Sequence, residues 1–186
     1  MSHDLAAARQ TMVDTQVRVA DVTDLFVQSA MRAVPREAYC GGNAHLAYAD
    51  APVEYSPGYW LLRPRDVAKL LQALRPRSGE RALAIHAPYA AAVLEKIGLT
   101  VELHDGISPI AGEYDVIVTE GAVHNLPASW QKALVLGGRV GVIERDGAAG
   151  RAKLYSRSEE GVGSRVVFDA HPNLLPGFER AAVFAL

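Results

Sequence analysis

The residues of this chain best suited to shared chemistry are three histidines and two acids. His86, His104 and His124 each follow or end an apolar run, with Asp105 and Glu120 near them. Three imidazole nitrogens and a carboxylate would suit zinc or another borderline metal. Their spacing matches no recognised metal motif, so the expectation is a polar rim and no metal site. A second set is cationic: Arg63, Arg65, Lys69, Arg75, Arg77 and Arg81. A basic strip can meet nucleic acid or an acidic partner. Only Tyr59 and Trp60 lie near it, without the interleaved aromatics on which bases stack. A solvated face and no nucleic-acid partner are therefore expected. Cys40 has no partner base in sequence, and Ser56 and Ser129 lack a nucleophile elbow. No catalytic residue is assigned.

These residues must be positioned by regular elements. Val27, Ala30, Met31 and Val34 fall on one helical face, with Thr23 or Asp21 able to cap it and Pro35 to stop it. Residues 41–60, rich in glycine, proline and asparagine, read as loop. Val67, Leu70, Leu71 and Leu74 make a second amphipathic helix. Arg81–Ile85 is an apolar run without alternation, as a strand buried on both faces should be. Ala90, Val93, Leu94 and Ile97 repeat the helical face, and Gly98 ends it. Strands follow at Thr100–Leu103, Tyr114–Val118 and Arg139–Ile143. Pro127 suits the first turn of a helix carrying Trp130 and Leu134, closed by Gly137 and Gly138. Strand and helix alternating over short links imply right-handed βαβ units in a parallel sheet. Arg151–Ser158 and Ser164–Asp169 look like a hairpin, and a last strand is expected near Ala182–Leu186. The class is α/β: a doubly wound, mostly parallel sheet with antiparallel C-terminal strands and an N-terminal helical extension. Two parts are expected, 1–60 as a helical cap with a loop and 61–186 as the α/β domain.

Composition sets the outer limits. The chain has 186 residues, 49% of them hydrophobic and 22% charged, enough for one packed core. A formal net charge of -2 argues against a chain-wide commitment to nucleic acid or anionic membrane. One cysteine excludes a disulfide framework. No run approaches spanning length, and the start shows no basic-then-apolar leader pattern. No membrane contact and a cytoplasmic location are the expectations.

Ala30-Met-Arg-Ala-Val-Pro-Arg36, Tyr48-Ala-Asp50, Glu120-Gly-Ala-Val123 and Leu136-Gly-Gly-Arg-Val140, in this order of elements, resemble bacterial protein-L-isoaspartate O-methyltransferases. The likeness runs from about Arg9 to Leu186. It implies a Rossmann-like methyltransferase fold and S-adenosylmethionine as cofactor. The implied reaction methylates the free carboxylate of isoaspartyl residues in damaged proteins.

Three departures stand against that chemistry. The resemblance places a glycine-rich loop after the first strand, where a ligand presses on bare backbone. Here the stretch is Ile85-His-Ala-Pro-Tyr-Ala-Ala91, without glycine, and Pro88 removes a donor. Only Gly106–Glu113 separate the strand at 100–104 from the next, too few for a crossover of at least ~10–12 residues, so one βα unit is missing. Leu62 stands where a substrate-side hydroxyl is implied, although Arg63 could still pair with a carboxylate. By position, the cofactor side is His86, Ala87, Tyr89, Asp105, Glu120 and Ala122. The substrate-side loop is Tyr59, Trp60, Leu62 and Arg63. The expectation is that S-adenosylmethionine is not bound, that His86 and Tyr89 fill its space, and that the chain is a non-catalytic binding or scaffold protein. The alternative is an active carboxyl methyltransferase with a rebuilt pocket. A third is a pocket for another small ligand or a metal. Removing a βα unit also bares a sheet edge, which predicts a protein partner or a homodimer there.

Overall fold

The structure is a computed structural model and describes residues 2–179. The strand expected near Ala182–Leu186 lies outside the described residues. The chain opens with α1 (Ser2–Met12), continued by a wider turn and a tighter one to Ala20. Asp21 then reverses the chain at φ +62°. α2 (Leu25–Ala33) follows, and its cap is Asp24 rather than the expected Thr23 or Asp21. The Asp24 carboxylate accepts from the backbone of Phe26 and Val27, satisfying two orphan donors of the first turn.

Residues 41–60 are not simply loop. They hold a tight helical stretch at Gly41–Leu46 and a small hairpin, β1 (Val53–Ser56) and β2 (Tyr59–Leu61). Both strands are shorter than a periodicity window, which hides them among turn-forming residues. α3 (Pro64–Leu74) buries Val67, Leu70, Leu71 and Leu74, each contributing about 1.5–3 kcal/mol of burial. Proline suits its first turn.

The main sheet has six strands: β3 (Arg81–Ile85), β4 (Thr100–His104), β5 (Tyr114–Val123), β6 (Leu134–Asp146), β7 (Ala149–Ser158) and β8 (Gly161–Asp169). Their spatial order is β4-β3-β5-β6-β7-β8, parallel through β6 and antiparallel from β6 to β8. α4 (Pro88–Ile97) crosses from β3 to β4, and Gly98, at φ +109°, ends it in a left-handed cap. Residues 105–113 join β4 to β5 without helix or strand, so the sheet stops at β4.

The helix after β5 is shorter than expected: α5 spans Ala128–Lys132, and Leu134 already begins β6, paired with Tyr114. Its apolar continuation past Lys132 belongs to a strand, which a helical reading of Pro127–Leu134 cannot separate. One core lies between the sheet and the α1–α4 side, and a second gathers Leu83, Ile85, Ile117, Trp130 and Val142 on the opposite face.

Candidate functional site

Doubly wound sheets bind ligands outside the carboxyl ends of their strands, at the switch in strand order. Here that place lies beyond Ile85, with β4 on one side of β3 and β5 on the other. His86 leaves β3 at φ +47°, a left-handed conformation that costs an ordinary side chain about 1–2 kcal/mol. The neighbours hold it there. Its amide donates to His104 O at 3.1 Å, Tyr55 donates its hydroxyl to His86 O at 3.3 Å, and the Tyr59 ring lies 4.4 Å from its imidazole. Burial pushes His86 below the usual imidazole range. The β1–β2 hairpin thus folds over the turn.

Beneath the turn lies a buried polar cluster. Glu120, fully buried on β5, accepts from Ala90 N at 2.7 Å, from Leu62 N at 3.0 Å and from the Tyr89 backbone. Pro88 has no N–H, and Ala91 N already bonds to Ala87 O. The amino-terminal amides of α4 are therefore all accounted for within the chain. Burial raises the Glu120 pKa against the lowering charge of Arg36. Arg36 is itself fully buried: Nε donates to Ala47 O and Nη2 to Leu62 O, and the guanidinium sits 4.7 Å above the Tyr89 ring. Tyr89 is wholly enclosed, 6.0 Å from Tyr39, and burial raises its hydroxyl's pKa. It fills space under the helical cap rather than outside the strand ends. Cys40 is buried in the same region, and burial pushes its thiol pKa up.

The outer rim is closed by residues outside the positional cofactor and substrate sets. Trp130 donates its indole N–H to Gly106 O at 3.0 Å and packs on Phe178. A Cβ on Gly106 would lie 2.7 Å from Ile85, 2.9 Å from Trp130 and 3.0 Å from Phe178. Residues 173–178 run across the end of β5: Ala122 N donates to Asn173 O, Leu175 N to Ala122 O, and His124 N to Phe178 O. Their signal in sequence was only the apolar Leu174, Leu175 and Phe178 after the last hairpin.

Of the positional cofactor residues, Ala87, Tyr89, Glu120 and Ala122 are fully buried. Asp105 is exposed but turned onto its own loop, where it accepts from Ile107 N, Ser108 N and the Ser108 hydroxyl. Those bonds, the hydroxyl's foremost, hold its pKa near about 2. On the substrate side, Tyr59 covers His86 and Trp60 pairs across to Glu54, while Leu62 is buried with both backbone groups committed. Arg63 spends its Nε on Asp66 at 2.8 Å and, with Leu62, Pro52 and His171, borders a cleft of about 220 Å³. His104 accepts from Gly106 N, and among the described residues no three His, Cys, Asp or Glu side chains converge to hold a metal.

The amino-terminal amides of α4 are held by Glu120, and the rim beyond β3 is occupied by Tyr59, Trp130 and Phe178. The arrangement buries Arg36 and Glu120 in one region and closes the rim beyond β3.

No family model matches the chain. Among curated proteins it is similar to protein-L-isoaspartate O-methyltransferase 1 of Rhodopseudomonas palustris (strain HaA2), 38% identical over 148 residues, 78% of this chain and 55% of that protein. The protein-L-isoaspartate O-methyltransferase of Methylorubrum populi is 30% identical over 165 residues, 72% of this chain and 78% of the relative. The chain spans about half the length of some of the curated relatives it matches. Its backbone follows a Plasmodium falciparum structure described as a protein-L-isoaspartate O-methyltransferase in complex with S-adenosyl-L-homocysteine. There the TM-score is 0.75 at 16% identity, over 90% of this chain and 97% of the other. That likeness is one of fold.

Proposed function

The chain belongs to the protein-L-isoaspartate O-methyltransferase family, and we propose that it has kept the fold while giving up S-adenosylmethionine binding and methyl transfer. In this reading it is a non-catalytic binding protein. The observation that carries it is the Glu120 carboxyl group on the backbone of Ala90 and Leu62, an internal acceptor that occupies the amino-terminal end of α4. The buried Ala87, Tyr89 and Ala122 support it, as does the rim closed by Trp130 and Phe178.

The surface such a protein offers includes its bared edge. Among the described residues β4 is paired on one side only, and Leu103 and Ile107 beside it are 63% and 67% exposed. Exposed edges and apolar side chains of this kind are commonly covered by another chain. The reading therefore assigns the β4 edge to a second copy of the chain or to a protein partner.

The activity test is direct. Incubating the protein with an isoaspartyl peptide and methyl-labelled S-adenosylmethionine should leave the peptide unlabelled beyond a protein-free control. Base-labile methyl ester on the peptide, absent when the isoaspartyl residue is replaced by aspartate, would overturn the reading.

A further inference from the structure

Aspartate followed by glycine occurs twice in the chain, at Asp105-Gly106 and at Asp146-Gly147. At such a pair the glycine nitrogen can close on the aspartyl side chain, because the second residue has no Cβ to obstruct the approach. The structure holds the two pairs in opposite states. Gly106 is buried; its N–H donates to His104 Nδ1 at 2.8 Å, and its carbonyl accepts from the Trp130 indole. The Asp105 carboxylate accepts from the Ser108 hydroxyl, Ser108 N and Ile107 N, bonds that hold its pKa at about 2. An ionised carboxylate resists attack by a nitrogen, and a buried, bonded N–H is not free to turn on it. Both reacting groups are tied.

Asp146-Gly147 differs at each of these points. Asp146 ends β6 and pairs with Ala149, leaving Gly147 and Ala148 as a two-residue turn into β7. Residues 146–149 are all exposed, and a Cβ on Gly147 would meet nothing within 4 Å. Among the described residues neither the Asp146 carboxylate nor the Gly147 N–H has a hydrogen-bond or ionic partner. The side-chain bond that does hold the turn runs from Arg145 Nε to the Gly147 carbonyl at 2.8 Å and engages neither reacting group. Rotating Asp146 for attack disturbs only the last pair of the ladder, where hairpin ends open most readily.

We propose that Asp146-Gly147 is a site of spontaneous aspartate isomerisation in the folded protein, and that the fold protects Asp105-Gly106 from the same reaction. The Gly147 nitrogen attacks Cγ of the Asp146 side chain in its neutral acid form. A C–N bond forms, the amide proton and the carboxyl hydroxyl leave as water, and a succinimide ring results. Water then adds to one of the two ring carbonyls. Breaking the N–Cγ bond restores aspartate; breaking the bond from N to the main-chain carbonyl carbon gives isoaspartate, with the main chain running through Cβ and Cγ. Arg145 also donates Nη1 to Pro172 O at 2.7 Å, so the added main-chain methylene falls beside the tie between this turn and the segment leading to the rim. The reaction needs water alone, and neither S-adenosylmethionine nor the site beyond β3.

The test is peptide mapping of the purified protein during prolonged incubation at physiological temperature and pH, beside the same chain unfolded in urea. Cleavage after lysine puts the two pairs on separate peptides, 97–132 and 133–153. Electron-transfer fragmentation tells isoaspartate from aspartate, which have equal mass. In the folded protein isoaspartate should accumulate at Asp146 at least about tenfold faster than at Asp105, the effect on rate of about one hydrogen bond. In urea the two sites should react alike, because the protection of Asp105 is then gone. Asp146→Glu, which would have to close a larger and slower-forming ring, should abolish isomerisation at this position, with circular dichroism establishing that the variant is folded. No isoaspartate at Asp146 in the folded protein over a period that converts the unfolded chain, or conversion of Asp105 as fast as Asp146 in the folded protein, would each overturn the proposal.

Discussion

Glu120 Oε1 lies 2.7 Å from the backbone nitrogen of Ala90, so a side chain of β5 occupies the amino-terminal end of α4. Helix amino termini attract anions through unpaired N–H groups and the helix dipole. In this chain the group at that place is built in, the buried carboxyl of Glu120. The same carboxylate reaches Leu62 at 3.0 Å and so ties the strand end, the helix start and the segment entering α3 into one knot.

Breaking that knot should be costly. Glu120→Ala leaves the buried Leu62 and Ala90 amides unpaired, at about 1–3 kcal/mol each, together with an uncompensated buried Arg36. Glu120→Gln keeps an acceptor and should cost about 1 kcal/mol. Urea unfolding at constant m-value measures both. An alanine variant as stable as the parent would contradict the described hydrogen bonds.

Acidity supplies a second reading of the same group. Burial raises the Glu120 pKa above 4.5, so the native state holds this proton more tightly than the unfolded chain does. The associated stability is fully present below the unfolded pKa and is lost as pH rises through the folded one. Glu120→Gln removes this dependence, so its stability deficit should be largest near pH 4.5 and shrink toward pH 8. A deficit that grows with pH would mean that the carboxylate is held charged.

At the rim, Trp130→Ala should cost about 3–5 kcal/mol, because it removes a fully buried ring and its bond to Gly106. Gly106→Ala should also destabilise, since its Cβ would lie 2.7 Å from Ile85 on a backbone at φ +74°. Thermal melts check both. Opening this rim should not by itself create S-adenosylhomocysteine binding, because Glu120 still holds the amides of α4.

For the β4 edge, sedimentation at tens of micromolar should show a species larger than a monomer or, if a different protein covers it, a monomer that captures one through Leu103. Leu103→Lys replaces a side chain that is 63% exposed, so it should leave the fold intact while dissociating the dimer. A monomer at every concentration, with identical behaviour in the Leu103→Lys variant, would count against pairing in trans.

Much of the scaffold could be read from residues. Arg81–Ile85 is an unbroken apolar run, Gly98 follows the last helical position of α4, and both boundaries coincide with the structure. The β1–β2 hairpin could not be read, because strands of four and three residues leave no period to detect. Nor could the inward course of Arg36 and Glu120. A charged residue gives the same letter whether solvated or buried, and only the long-range pairing of β5 with α4 and β2 decides which. The absence of glycine after β3 was visible, whereas the closing of the rim by Trp130, Phe178 and residues 173–178 depends on contacts between distant segments.

The proposed loss of cofactor binding is tested most directly by calorimetric titration with S-adenosyl-L-homocysteine, paired with thermal melts at millimolar ligand. A ligand present at 100 times its dissociation constant would stabilise the fold by about 2.7 kcal/mol. No heat of binding and an unmoved melting temperature are expected. A saturable isotherm together with a raised melting temperature would contradict this account.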